Sequence, residues 1–432
     1  MNVTTPVRRR EIFGWAMFDF ANSSYTTVVI TAMYSAYFTG TIVPEGSTAR
    51  DAWWSLAMVL STLVALLLSP LAGAICDKKG TKKPYLFAST LVCAIGTGLL
   101  ATAGPGNIGW AIALIVVSNS AFMLSETFCG SYLPELATPE NMGKISGLGW
   151  GLGYFGGLTS LALATIIVGK TQGAEFIERT NLALIATGAF FLVAAMPTLF
   201  LVKTRTRPAP GFENASFGVL MKAGLKELSG AAKTVRDFPV LFRFLLAFMV
   251  YMAGLEAVIK FVGIYARAEL QFDGGEIAVM FLVLQISAAA GALAFGWVES
   301  RLGAKTTVLL TLGLWIVAIL AIYGLDTLAA ILGASPKNVF FGLAVFAGMG
   351  IGATQSSSRT VVGLLVPPER SAEMFGFWGT FARLGTILGM SFGVASDLMS
   401  RRTALLLVVV FFAAGAALLT RVDIPRPQPS NA

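Results

Sequence analysis

Long apolar runs follow one another along this chain with only short polar breaks. They fall at roughly 13–38, 54–75, 84–103, 109–132, 147–169, 182–202, 241–265, 276–298, 306–324, 339–363, 374–397 and 403–421. Each is close to the ~20 residues that an α-helix needs to cross a bilayer core. A water-soluble fold of 432 residues cannot hide them, because only 12% of the chain is charged, about half the usual share. The runs are continuously apolar rather than alternating, which predicts membrane helices and not the strands of a barrel. The 46 glycines fit helices that approach one another closely. The predicted fold class is all-α integral membrane, with 12 transmembrane helices.

Arg8, Arg9 and Arg10 precede the first run in the manner of a signal peptide. That run is too long for one, and Asp19 and Asn22 interrupt it, so it reads as a retained helix. Orientation follows from the distribution of positive charge. With the N-terminus inside, 22 of the 31 Lys and Arg residues fall on the cytoplasmic side, including Arg421 and Arg426 in the tail. Seven fall outside, where Arg401 and Arg402 form the one cluster against the trend, and Lys260 and Arg383, deep within their runs, are counted with neither side. Both termini are therefore expected in the cytoplasm, and the net charge of +8 reports topology rather than nucleic-acid binding. Cys76, Cys93 and Cys129 have no ligand-like spacing, so neither a disulfide framework nor a metal site is expected. No cofactor is implied.

The longest polar interruption, residues 203–240, divides the chain into an expected N-terminal six-helix bundle (1–202) and a C-terminal one (241–432). Its second part is amphipathic, with Phe217, Leu220, Met221, Leu225 and Leu228 on one helical face against Lys222, Lys226, Lys233 and Arg236. Such a segment either rests in the cytoplasmic headgroup layer, a contact with membrane lipid, or simply tethers the halves. The halves resemble each other weakly. Pro139-Glu140 is followed by Gly147, and Pro368-Glu369 by Gly376 at the same distance. Gly149, Gly153 and Gly157 then recur at spacing four, as do Gly385, Gly389 and Gly393. Each ladder puts a smooth stripe on one helix face. Two pseudo-symmetric six-helix bundles rocking about a site between them are the expected arrangement.

The sharpest motif is Gly73-Ala74-Ile75-Cys76-Asp77-Lys78-Lys79-Gly80-Thr81-Lys82-Lys83, of the form G-x-x-x-D-x-x-G-x-K-K. Gly73 permits close helix contact, Asp77 can cap or pair with a neighbouring helix, and Gly80 makes a tight turn. The motif resembles the signature loop of the major facilitator superfamily. That resemblance implies a cytoplasmic latch in which Gly73, Asp77, Gly80, Lys82 and Lys83 are gate elements. A second copy, from Gly296 through Glu299, Ser300 and Arg301 to Gly303 and Lys305, is degraded, with Ser300 in the aspartate's place. Further blocks run from Gly14 to Tyr25, from Leu133 to Glu140, from Ser146 to Tyr154, from Gln355 to Arg359 and from Ala372 to Phe377. Together they resemble the vacuolar amino-acid effluxer (autophagy-related) family and its bacterial members, also called the unknown major facilitator family. The resemblance implies export of an amino acid or similar small solute, from a bacterial inner membrane or across a vacuolar or other organelle membrane. One departure is that the acid expected near Ala253 stands instead at Glu256, with Lys260 one turn on.

An ionisable side chain at mid-bilayer depth costs ~2.5–3.5 kcal/mol even on a lenient scale, so those present should face a cavity or a partner. Asp19, Asn22 and Tyr25 form a stripe that faces either the transport path or a helix contact. Glu256 and Lys260, at i and i+4, either neutralise each other in place or separate to hold the two ends of a zwitterion. Arg383 either snorkels or binds an anionic group. With no histidine in the chain, proton coupling would fall to carboxyls that desolvation keeps partly neutral: Asp19 and Glu256, then Glu126. A metal-ligand set, phosphate loop or nucleophile elbow is absent, which disfavours an enzyme. The reading is a secondary transporter, expected to act as a monomer, with a small-molecule substrate and H+ as coupling ion. Open alternatives are another solute class (drug, sugar, nucleoside), or a transporter-like sensor or lipid scramblase.

Overall fold

The computed structural model of the chain describes residues 6–44, 47 and 49–424. Arg426 and the side chain of Leu228 lie outside the described residues. Lipid offers no hydrogen-bond partner to a peptide group, so an apolar run must satisfy its own backbone. Every regular element among the described residues is accordingly helical. In chain order the principal helices are α1 (Arg9–Ser24), α2 (Arg50–Lys79), α3 (Lys83–Leu99), α4 (Ile108–Gly130), α5 (Met142–Val168), α6 (Gly173–Leu201) and α7 (Phe217–Ser229). There follow α8 (Pro239–Leu270), α9 (Gly274–Leu302), α10 (Ala304–Tyr323), α11 (Pro336–Leu365), α12 (Ser371–Gly389), α13 (Ser391–Leu398) and α14 (Arg401–Thr420).

Ten of these, α2–α6, α8–α11 and α14 with their flanking turns, are long and apolar enough to cross a membrane. The two remaining apolar runs are interrupted helices, and a count of twelve spans is consistent with them. α1 passes at Tyr25–Ala32 into wider turns closed by i to i+5 hydrogen bonds, as from the Met33 amide to the Val28 carbonyl (3.0 Å). α12 breaks at Met390 before α13. Helix ends carry local signals. Asp273 and Glu276 form a reciprocal capping box at α9. Ser335 caps α11 ahead of Pro336, where the missing amide costs nothing. Ile166, Phe200 and Leu398 point outward, natural in lipid and a liability in water.

The chain forms two compact units. The first comprises Met1–Leu136, Leu152–Gly230 and Pro367–Gly379, and the second Ala137–Gly151, Ala231–Val366 and Thr380–Ala432. Thus α5 begins in the second unit and ends in the first, whereas α12 does the reverse. In the first unit, α1 is pinned to α6 by the Thr198 hydroxyl, which donates to the Gly14 carbonyl (2.6 Å). Asn119 of α4 donates to Ser61 of α2 (2.7 Å). The Trp15 indole donates to the Cys129 carbonyl (2.8 Å). In the second unit, Gly291, Gly348 and Gly352 bring α9 and α11 together so closely that a methyl on any of them would strike the other helix's backbone. Trp315 stacks on Phe412 and donates to Thr354.

Glycine ladders repeat between the units. Gly153 and Gly156 of α5 lie against Asp19 and Phe20 of α1. Gly385, Gly389 and Gly393 lie against Met249, Ala253 and Phe261 of α8. Small residues replace the hydrophobic drive that helix association lacks in lipid, because they let backbones meet. A Gly156→Leu change therefore runs into the Phe20 carbonyl and should cost more than the ~1–3 kcal/mol of ordinary overpacking. The expected result on size-exclusion chromatography is loss of the monodisperse peak. Gly98→Leu, where an added methyl would meet nothing within 4 Å, should leave the peak unchanged.

Candidate functional site

The loop between α2 and α3 organises a buried polar network in the first unit. Asp77 sits in the last turn of α2, 8% exposed, and its two oxygens accept the amides of Ala372 (3.1 Å) and Glu373 (2.8 Å). These are first-turn amides of α12, which lack intrahelical acceptors and carry the positive end of the helix dipole. Contact this close needs both helices bare. A methyl on Gly73 would collide with the Ala372 backbone, and one on Gly376 with the Ser69 carbonyl and Pro70. Gly80 turns the chain at φ +64°, and a side chain there would strike the Arg207–Pro208 backbone.

Lys82 is fully buried and donates to the Ser131 carbonyl (2.8 Å) and the Ser371 hydroxyl (2.6 Å), while pairing with Glu135. Glu135 also accepts the Arg205 amide (2.7 Å), and the Arg205 guanidinium pairs with Glu11 (2.9 Å). Burial alone would raise the Glu11 carboxyl, but the Arg8 amide and the Arg205 guanidinium outweigh it and hold it below its ordinary range. An outer chain runs from Lys78 to Glu227 of α7 (3.0 Å), then to Arg370 (3.7 Å) and Glu373 (2.7 Å). Of the motif residues, Gly73, Asp77, Gly80 and Lys82 meet in this network. Lys83 opens α3 half-buried, with no ion pair among the described residues. The motif alone does not reveal Glu11, Glu135, Arg205 or Glu227, because their partners are distant in sequence.

A related contact lies in the second unit. A methyl on Gly147 of α5 would collide with the Ala292 carbonyl of α9, and one on Gly296 would meet the Gly143 carbonyl at 2.7 Å. The residue aligned with Asp77, Ser300, donates to its own helix at Trp297 (2.7 Å). Its neighbour Glu299 is the buried acid, 2% exposed. Arg359 of α11 grips the start of α5, donating to the Ser146 hydroxyl (3.1 Å) and carbonyl (2.8 Å).

The remaining polar residues fall into separate groups. On α1, Asp19 is half-buried beside Gly153, and Asn22 is 5% exposed. Tyr25 is fully buried, bonded to the Ser118 hydroxyl (2.8 Å) and stacked on Phe122. Glu126 of α4 is exposed. On α8, Glu256 and Lys260 pair at 3.6 Å with side chains 20% and 39% exposed, and Thr386 of α12 faces the carboxyl. Arg383, one turn before Thr386, is buried at 9% exposure. Among the described residues no cluster of His, Cys, Asp or Glu could hold a metal ion.

Stranding one member of a buried ion pair costs ~3–5 kcal/mol. Lys82→Met should therefore lower the thermal midpoint of the detergent-purified protein sharply by leaving Glu135 without its cation. Lys82→Met with Glu135→Leu should recover part of the loss.

Residues 49–431 match the family described as "Vacuole effluxer Atg22 like". An uncharacterized MFS-type transporter of Bacillus subtilis, YxiO, is 24% identical over 379 residues, covering 87% of this chain and 85% of that one. Autophagy-related protein 22 of Kluyveromyces lactis is 22% identical over 80% of this chain and 73% of its own. Autophagy-related protein 22-1 of Emericella nidulans is 23% identical over 57% of this chain, which spans 43% of its length. Among solved structures, the proton:xylose symporter XylE superposes with TM-score 0.71 at 12% identity, over 96% of both chains. A bacterial homologue of the iron transporter ferroportin gives 0.69 at 12% identity, over 95% of this chain and 98% of that one. At such identity these structures speak for the major facilitator fold alone.

Proposed function

The chain belongs to the vacuole effluxer Atg22-like family of major facilitator transporters, and from that premise we propose that it exports an amino acid or related zwitterion by proton-coupled alternating access. Family and fold are those of multi-pass membrane transporters of small molecules, not of enzymes. The observation that carries the finer reading is the Glu256–Lys260 pair. Its two opposite charges lie on one face of a membrane helix, 3.6 Å apart and only partly covered. A carboxylate and an ammonium held this loosely can each exchange their partner for the matching end of a zwitterion. Arg383, on the same unit as the pair, and Asn22 and Tyr25 of the first unit are the other proposed substrate residues, and Asp19, Glu256 and Glu126 the proposed proton carriers. In the same reading the Lys/Arg-rich end faces the cytoplasm, where Asp77, Lys82 and Glu135 form the closed latch. The chain works as a monomer of two six-helix bundles, 1–202 and 241–432, joined by the linker 203–240.

A ligand that binds the folded state raises the thermal midpoint, by ~2.7 kcal/mol of stability at a hundred times its Kd. Screening the purified protein against amino acids, dipeptides, nucleosides and sugars should yield a shift with amino acids only, abolished by Glu256→Gln. In proteoliposomes a proton gradient should drive flux of that solute, reduced at least tenfold in Asp19→Asn and in Glu256→Gln. Intact coupled flux in both variants would refute the proton assignment. Movement of labelled lipid without a gradient would favour a scramblase instead.

A further inference from the structure

Glu299, one residue before the position aligned with Asp77, has a comparable setting. Each lies near the end of a long membrane helix, behind a glycine (Gly73, Gly296) against which the first turns of another helix rest. Their surroundings differ. Asp77 receives two backbone amides. At Glu299 the approaching helix start is that of α5, whose Met142 and Ile145 amides are already bonded to the carbonyls of Thr138 (2.9 Å) and Asn141 (3.1 Å). Neither Glu299 oxygen accepts a hydrogen bond of normal geometry among the described residues. The hydroxyls of Ser357 and Thr360 face the carboxyl from α11. Thr360, however, donates to the Ser356 carbonyl (3.2 Å), and Ser357 is unbonded.

No nearby cation pairs with the carboxyl among the described residues. Lys144 of α5 is exposed. Arg359 of α11 is bonded to Ser146 and lies over the Trp150 ring. Arg301, on the same helix as Glu299, stacks on Trp297 at 3.6 Å. Lys305, at the start of α10, donates to the carbonyls of Thr420 and Val422. No ion pair to Glu299 exists among the described residues. An ionised carboxylate with no cation beside it and no well-formed hydrogen bond is far costlier than a neutral acid in the same place. The cover is also tight, since a methyl on Gly143 would strike the Glu299 carboxyl itself.

We propose that Glu299 is a proton-binding site, a neutral acid while the first turns of α5 cover it, which ionises when they withdraw and water enters. As a proton site it stands on this contact alone. As the station of a coupling proton it rests on the transport reading above.

The test is thermal unfolding of the full chain in detergent from about pH 5 to about pH 9, wild type beside Glu299→Gln, whose amide stands in for the neutral acid. The two midpoints should lie closest at the acid end. They should diverge as pH rises, with wild type falling below the variant, because the unfolded chain gains by ionising and the covered carboxyl cannot follow. Glu299→Ala, which removes the acid and leaves a void, should lower the midpoint yet share the variant's flatter pH dependence. Parallel curves for wild type and Glu299→Gln would overturn the proposal, as would a glutamine variant that is unfolded or less stable at every pH. No substrate enters this measurement, so it holds or fails apart from the transport reading.

Discussion

A carboxylate removed from water is tolerable only where something replaces the water, and the loop after α2 is built around that requirement. Asp77 meets it with the first amides of α12, groups that would themselves be stranded without an acceptor. Each side of the contact cancels the other's desolvation, so neither end is comfortable alone. The glycines at 73 and 376 serve this contact, and so does the tight turn at Gly80. Lys82 and Glu135 repeat the principle with full charges, and Ser371 ties them to the same helix start.

The glycine contacts supply a second layer. In lipid, apolar side chains gain nothing by leaving their neighbours for one another, so helix association depends on how nearly backbones can meet. The pairing of α5 with α1 is echoed by that of α12 with α8, each made through glycines although their registers differ. The echo is imperfect where it bears on chemistry. Asp77 has a backbone partner at its station and Glu299 has none, so the two halves share a frame but not an electrostatic state.

Much of this frame was legible in the sequence, because lipid allows few choices. The apolar runs gave helices, and the motif from Gly73 to Lys83 marked the polar contact. The ladders at 153 and at 385–393 marked faces that another helix touches. What periodicity could not supply was partner identity. Glu11, Glu135 and Arg205 look like ordinary flanking charges until the fold gathers them. The degraded motif pointed to Ser300, whereas the register of α9 buries Glu299. Tyr25 belongs to the polar stripe by spacing, yet its hydroxyl is taken by Ser118. Family membership and fold identify a transporter; neither carries the chemistry of its cargo.

The widened turns at Tyr25–Ala32 bear on how such stripes are drawn at all. A turn closed from i to i+5 contains one residue more than a turn closed from i to i+4. Beyond Tyr25, side chains therefore leave the faces that a regular helical wheel assigns to them. The second half of the first apolar run is indexed by its hydrogen bonds rather than by sequence spacing, and its wide turns at Tyr25–Ala32 and Phe38–Ile42 hold slack that α-helical turns would not. Such slack lets a helix trade register locally, closing one wide turn and opening another, without breaking its continuity or moving its ends.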